Sequence, residues 1–173
     1  PYLYLRGNNT AFTGNLTITG GIINIEDNAQ LIGNMTNFSF ASATTTLLQV
    51  KENAFKHAIA NYAANGSDAN KQTLSQAMQE YSQAIADARV RGQLATLEVE
   101  AGKNITIDGQ RISIAEGKSG SIALKDDATF TFKNGTNSAI LLYEGAALIL
   151  ESGANTRFIF SGNSSNFGGA IYS

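Results

Sequence analysis

Four carboxylates stand where chemistry could be built: Asp126 and Asp127 side by side, then Glu144 and Glu151. Hydrolysis of a glycoside needs two such groups a few ångströms apart, one to protonate the leaving oxygen and one to attack the sugar or activate water. An acidic face on a β-rich protein could offer that pair to a polysaccharide. The flanking residues point to another use. Asp126-Asp127 align with Glu26-Asp27-Asn28 and with Tyr143-Glu144-Gly145, so they fall at a recurring turn where polar residues are expected. No cluster of Arg or Lys beside them supplies the counter-charge that elimination across an acidic polymer would need.

The remaining reactive groups are sparse. His57, the single histidine, lies between Lys56 and Ala58 on a helical pattern and reads as a solvated surface residue. No Gly-x-Ser-x-Gly elbow exists to pair a serine with it. Cysteine is absent, which excludes disulfides and thiolate metal sites. Neither Gly20-Gly21 nor Gly168-Gly169 continues into a calcium-binding Gly-Gly-x-Gly-x-Asp repeat. Sequons occur at Asn8, Asn15, Asn34, Asn37, Asn65, Asn104, Asn134 and Asn163, as a chain rich in Asn, Gly, Ser and Thr turns produces by chance. The expectation is a protein with no catalytic residue, no metal and no cofactor.

Composition bounds the alternatives. The 173 residues are 43% hydrophobic, enough for one sizeable core, and the net charge of -2 argues against a nucleic-acid surface. One Pro, at position 1, and 17 Gly suit short strands joined by tight polar turns. No leader-like segment opens the chain, and no apolar run approaches the roughly 18 residues of a membrane span.

The elements that would position any site fall in three parts. Residues 1–40 carry brief apolar pairs at period two, Leu16-x-Ile18, Ile23-x-Ile25, Leu31-Ile32 and Phe38-x-Phe40, which predict short strands. The period then changes. Leu48, Phe55, Ile59 and Tyr62 predict one helix, with Asn65-Gly66 to end it; Leu74, Ala77, Met78, Tyr81, Ile85 and Ala88 predict a second, capped by Ser67-Asp68 and stopped at Gly92. From Leu94 the short strands resume at Leu97-x-Val99, Ile105-x-Ile107, Ile112-x-Ile114, Ile122-x-Leu124 and Phe130-x-Phe132. The expected organisation is one β unit over 1–173 with a helical hairpin inserted at 47–92.

Internal repeats sharpen this. Residues 122–135 align with 140–153 at an offset of 18, which suggests adjacent rungs of a stacked repeat, whose coils are commonly about 18 to 25 residues. Ile23-Asn-Ile25 aligns with Ile122-Ala-Leu124 across the helical segment at an offset of 99, so strands on both sides of the hairpin obey one pattern. The longest-range match joins Phe12-x-x-Asn15 with Gly20-Gly21-Ile-Ile23 to Phe160-x-x-Asn163 with Gly168-Gly169-Ala170-Ile171, at an offset of 148. In such a repeat Phe12 and Phe160 would join interior aromatic stacks, Asn15 and Asn163 would satisfy corner backbone groups, and the glycines would permit positive φ and close backbone approach.

Phe-x-x-Asn followed by Gly-Gly-Ala-Ile resembles the repeats in passenger domains of the polymorphic outer-membrane protein family, the chlamydial-type autotransporter adhesins. The copy at 160–171 matches fully; the copy at 12–23 has Ile22 in place of the Ala. The resemblance implies a mainly β fold, a right-handed parallel β-helix with the hairpin as an insertion, incomplete at both ends of a longer passenger. It implies export through an outer-membrane β-barrel of the same parent chain and display at a bacterial surface, with adhesion to a host-cell or neighbouring-cell receptor and no catalysis. Candidate partner-binding residues are Phe55, Tyr62, Met78 and Tyr81 of the hairpin, because insertions in repeat proteins gather on one face. An unpaired final coil is a place for self-association. A polysaccharide-acting β-helix enzyme and a non-binding spacer are the alternatives, separated by saccharide turnover and by binding of any fragment.

Overall fold

Apolar residues at alternate positions, broken every few residues by Gly, Asn and Asp, make strands too short to stand alone but able to pair with like neighbours. The computed structural model describes residues 2–5, 14–25, 35–108, 111–134, 139–162, 166–167 and 169–172. Before the hairpin lie β1 (Tyr2–Leu5), β2 (Gly14–Ile18), β3 (Ile22–Ile25), β4 (Met35–Phe40) and β5 (Ser42–Ala43). Two helices follow, α1 (Thr46–Ala64) and α2 (Asp68–Val90). After them come β6 (Thr96–Val99), β7 (Asn104–Asp108), β8 (Arg111–Ile114), β9 (Lys118–Leu124), β10 (Thr129–Asn134), β11 (Ala139–Leu142), β12 (Ala147–Ser152), β13 (Arg157–Gly162), β14 (Asn166–Phe167) and β15 (Ala170–Tyr172).

The result is a mixed α/β protein whose mostly parallel strands form three sheets. A long sheet runs β1-β3-β6-β9-β12-β15, a five-stranded sheet runs β2-β4-β8-β11-β14, and a three-stranded sheet runs β7-β10-β13. From β6 onward the chain visits the long, three-stranded and five-stranded sheets in that order three times before returning to the long sheet at β15. Among the described strands only β5 runs antiparallel, against the start of β9.

Register places like side chains in columns. Ile23 stands beside Leu97, Leu97 beside Ile122, and Ile122 beside Leu150. The offset-99 match of the sequence is therefore a real alignment of β3 with β9. On the three-stranded sheet Ile105, Phe130 and Phe158 are in line, as are Ile107, Phe132 and Phe160. On the five-stranded sheet Phe40, Ile114 and Leu142 are in line. These columns meet in one core to which all three sheets contribute.

The offset of 18 does not survive. Ile122 pairs with Leu150 and Ile140 pairs with Ile112, so 122–135 and 140–153 are not adjacent in the sheets. The first segment turns from the long to the three-stranded sheet, and the second from the five-stranded to the long sheet. Both corners have the form apolar pair, polar turn, buried Ala, apolar strand, with Ala128 and Ala146 buried alike. The similarity is between two kinds of corner, because each must bury a small residue while turning from one sheet to the next.

At the corner leaving the long sheet, Gly102, Asp127 and Asn155 all have positive φ, of 72, 64 and 56°. They occupy equivalent places, since the strands that follow pair Asn104 with Thr129 and Thr129 with Arg157. Asp126 accepts a bond from the Ala154 amide (2.8 Å), and Asn155 donates from its side chain to Asp127 (3.3 Å). The two aspartates thus tie one corner to the next.

The helix boundaries follow their caps. Thr45 Oγ1 accepts from the Leu48 amide (3.2 Å) and Ser67 Oγ from the Asn70 amide (3.2 Å), each satisfying an orphan donor of the first turn. The first helix does not end through a left-handed residue at Asn65-Gly66. Asn65 is extended, with φ of -149°, and Asn70 donates to the Asn61 and Asn65 carbonyls instead. The second helix does stop at a left-handed glycine, Gly92, with φ of 69°.

Candidate partner-binding surface

The hairpin is fastened to the outer face of the long sheet at both roots. On entry, Ser42 Oγ donates to the Ser119 carbonyl (2.7 Å) and accepts from the Ala95 amide (3.0 Å), while Thr44 Oγ1 reaches the Gly117 carbonyl (3.1 Å). On exit, the Gly92 carbonyl accepts from the Gly21 amide (3.2 Å), and Gly20 lies so near that a Cβ there would sit 2.6 Å from the same oxygen. The first Gly-Gly pair thereby holds the exit of α2, with Gly21 at a φ of 74°.

Between the roots, Leu48, Tyr81, Ala84, Ile85 and Ala88 bury a second apolar cluster with Leu94 and Ile149, and Phe55 and Tyr172 complete it. Tyr172 is central: its ring is 5.3 Å from Tyr81, edge on, and 6.0 Å from Phe55. Burial, and then the charge of Glu52, hold the Tyr81 and Tyr172 phenols well above their ordinary value, so both stay protonated. Arg89, at the last turn of α2, forms an ion pair with Glu151 on β12 and donates to Ser121 on β9 (3.1 Å) and Thr96 on β6 (3.4 Å). One side chain therefore spans three strands.

A polar group lies elsewhere on this sheet. The fully buried Asn24 amide donates to Glu98 (2.6 Å) and Glu100 (3.0 Å), and Lys125 bridges the same two carboxylates at 3.4 and 3.5 Å. The Ala101 backbone N–H, with Asn24 and Lys125 behind it, holds the Glu100 carboxyl below its ordinary range. Burial pulls the Lys125 ammonium down, but Glu98 and Glu100 outweigh it and its pKa is raised. Each charge here already has an intramolecular partner.

The structure separates the candidate residues of the hairpin. Tyr81 is buried and Phe55 half-buried, and both pack against the sheet rather than outward. Tyr62 and Met78 are 37% and 49% exposed, and Ile59 on the first helix 43%. A cleft of about 120 Å³ opens where Met78 meets Phe55, Tyr81, Ile149 and Tyr172. Tyr172 and Ile149 were not singled out in the sequence. Their signal was present: Ile149 and Tyr172 alternate with the inward Leu148, Leu150 and Ile171 and carry large apolar groups on what would otherwise be a polar outer face.

The repeat motif is distributed differently from its sequence alignment. Ile23 is buried and in line with Leu97, whereas Ile171 is 40% exposed and in line with Leu148. The two copies are thus displaced along the long sheet, although both isoleucines share the inward parity. Ala170 pairs with Ala147, and Gly169 abuts the Ala146 carbonyl, where a Cβ would lie at 2.3 Å. Phe160 does join an aromatic stack, 6.4 Å from Phe132 and 6.5 Å from Phe158, and is 44% exposed. Asn15 lies inside β2 at a register shift and not at a corner. Phe12, Asn163 and Gly168 lie outside the described residues.

Asp126 and Asp127 sit at their corner, Glu144 at the Gly117–Gly145 corner, and Glu151 in its pair with Arg89. His57 is exposed on α1. Among the described residues no group of three His, Cys, Asp or Glu is placed to hold a metal ion, and no helix is long and apolar enough to cross a membrane. Compared with protein-family models, with curated proteins and with solved structures, the chain matches none.

Proposed function

We propose that the chain is part of a right-handed parallel β-helix and works as the passenger of an autotransporter adhesin, displayed at a bacterial surface and binding host or neighbouring cells without catalysis. The strand order from β6 onward supports the β-helix: three sheets visited in one fixed sequence, in parallel register, with the same left-handed corner recurring at Gly102, Asp127 and Asn155. Parallel connections are right-handed in nearly all proteins, which sets the expected hand.

The observation that carries the binding role is the hairpin. It is pinned at both roots and through Arg89, yet leaves Ile59, Tyr62 and Met78, with Leu47 and Val50, exposed on its two helices. A rigid stalk that carries a projecting hairpin with exposed apolar residues suits recognition of a receptor. The structural partners of the carboxylates favour binding over polysaccharide cleavage, since Asp126 and Asp127 serve a corner and Glu151 serves Arg89.

The test is binding of the 173-residue chain to epithelial cells, beside a chain in which a short Gly-Ser turn replaces the hairpin, both verified for β structure. Binding by the intact chain alone makes the hairpin the adhesive element, and equal binding moves adhesion to the coils. Binding by neither, with no saccharide turnover, overturns the adhesin in favour of a spacer.

A further inference from the structure

We propose that Lys125 and Asn24 become joined by an isopeptide bond, formed by the folded chain itself with loss of ammonia and with Glu98 as the proton carrier. The inference rests on strand register and side-chain placement, not on adhesion.

The long sheet brings the three groups to one point. Asn24 on β3 stands beside Glu98 on β6, and Val99 stands beside Leu124 of β9, which sets Lys125, just past that strand, next to Glu100. The Lys125 amide continues the ladder by donating to the Val99 carbonyl (3.1 Å). Both side-chain nitrogens then meet at a single atom: Glu98 Oε1 accepts from Asn24 Nδ2 at 2.6 Å and pairs with Lys125 Nζ at 3.4 Å. Glu100 spans the same two nitrogens, through Oε2 at 3.0 Å and Oε1 at 3.5 Å. An amine, a carboxamide and a carboxylate in reach of both are what the exchange of one amide nitrogen for another requires.

Two observations set this apart from an ordinary ion-pair network. Asn24 is fully buried, yet its Oδ1 has no hydrogen-bond partner among the described residues, a costly state for a carboxamide. A half-turn about its Cβ–Cγ bond exchanges Oδ1 for Nδ2 and points the carbonyl oxygen at Glu98. The Glu98 side chain is 8% exposed, so water has little access to the amide, and attack by a tethered amine is favoured over hydrolysis.

The step balances without an oxidant or a cofactor. Lys125 passes one proton to Glu98 and becomes a neutral amine. Glu98 then donates its O–H to Asn24 Oδ1, polarising Cγ, and Nζ adds to that carbon. A second Nζ proton moves to Nδ2 through the Glu100 carboxylate, the Cγ–Nδ2 bond breaks, and ammonia leaves, taking the Glu98 proton with it as ammonium. At rest the two carboxylates hold Lys125 as an ammonium, so the reaction is slow. The product ties β3 to the end of β9 across β6 and closes the hairpin within a covalent loop. Such a link restrains the unfolded chain as a disulfide would, in a protein that has no cysteine.

The intact mass of the denatured 173-residue chain tests this, followed over days at mildly alkaline pH, where more of the amine is neutral. The expected result is a mass lower than that of the sequence by one ammonia, with Asn24 and Lys125 in one branched tryptic peptide uncut after Lys125. Lys125→Arg, which keeps the positive charge, and Glu98→Gln, which removes the proton carrier, should each retain the full mass. The unmodified chain needs no substitution to give its answer, so a folding defect in either variant cannot decide the matter. A full mass throughout overturns the proposal. So does a loss of ammonia that persists in Lys125→Arg, which would be cyclisation at an Asn-Gly pair such as Asn65-Gly66. Cell binding has no part in this readout, so the two readings fail separately.

Discussion

Gly120 faces Phe40 at a distance no other residue would permit: a Cβ on Gly120 would lie 2.3 Å from the Phe40 Cβ. Phe40 is fully buried at the join of the long and five-stranded sheets. The phenyl group fills the space a side chain on β9 would have taken. Gly120→Ala should therefore cost about 1–3 kcal/mol through overpacking, read as a fall in the urea midpoint with an unchanged m-value. Gly117→Ala is its complement, since nothing lies within 4 Å of a Cβ there and only the φ of 68° opposes it. That change should cost about 1 kcal/mol, the penalty of a left-handed alanine.

Arg89 is expected to act as the main bolt between hairpin and sheet. Arg89→Met removes its bonds to Thr96 and Ser121 and leaves Glu151 without its cation. A loss of about 2 kcal/mol is expected, within the range for breaking a partly buried pair. The Arg89→Met, Glu151→Gln double variant should recover part of it, because the unpaired charge is then gone. Additive losses in that cycle would contradict the pairing.

Stability should depend on pH through Glu100. Its pKa is lowered in the fold, chiefly by the Ala101 amide, from an ordinary value of 4.5. A carboxylate with a depressed folded pKa stabilises the protein above its unfolded value, and that contribution disappears as pH falls through the folded value. Glu100→Gln should lower stability at neutral pH and flatten the fall of stability as pH drops below 4.5. Denaturant midpoints at intervals across that window check the sign.

Replacing 46–90 by a Gly-Ser turn, with Gly92 kept as the acceptor for Gly21, should leave the coil core intact. That core contains no hairpin residue. The outer face would suffer, since Leu94 and Ile149 lose their cover at about 1.5–3 kcal/mol each. Retained β circular dichroism with a lower melting temperature is the expected outcome, and loss of the β signal would mean that the hairpin is required for the fold.

Much of this was legible in the residues, for a reason particular to stacked strands. Columns of Ile, Leu and Phe repeat because each strand must fill the place its neighbour fills. Ile23-x-Ile25 and Ile122-x-Leu124 therefore declared their shared sheet across the hairpin. The helical segment was equally plain, since Leu48, Phe55 and Ile59 in one stretch and Tyr81, Ile85 and Ala88 in the next recur at helical spacing and Ser67 supplies a cap. What misled was local similarity without spatial adjacency, as at the offset of 18, where two corners obeying the same steric demands look alike while belonging to different sheets.

Strand periods, the two helices, the turn chemistry of Asp126 and Asp127 and the scarcity of reactive groups follow from residue type and spacing alone, because backbone preference and side-chain alternation are local. The direction in which the hairpin lies, the seating of Arg89 across three strands, the turning of Phe55 and Tyr81 onto Tyr172 and the exposure of Ile59, Tyr62 and Met78 were decided only in three dimensions. An apolar stripe specifies that something must cover it; which residues do so depends on where the chain, many strands later, brings β12 and β15.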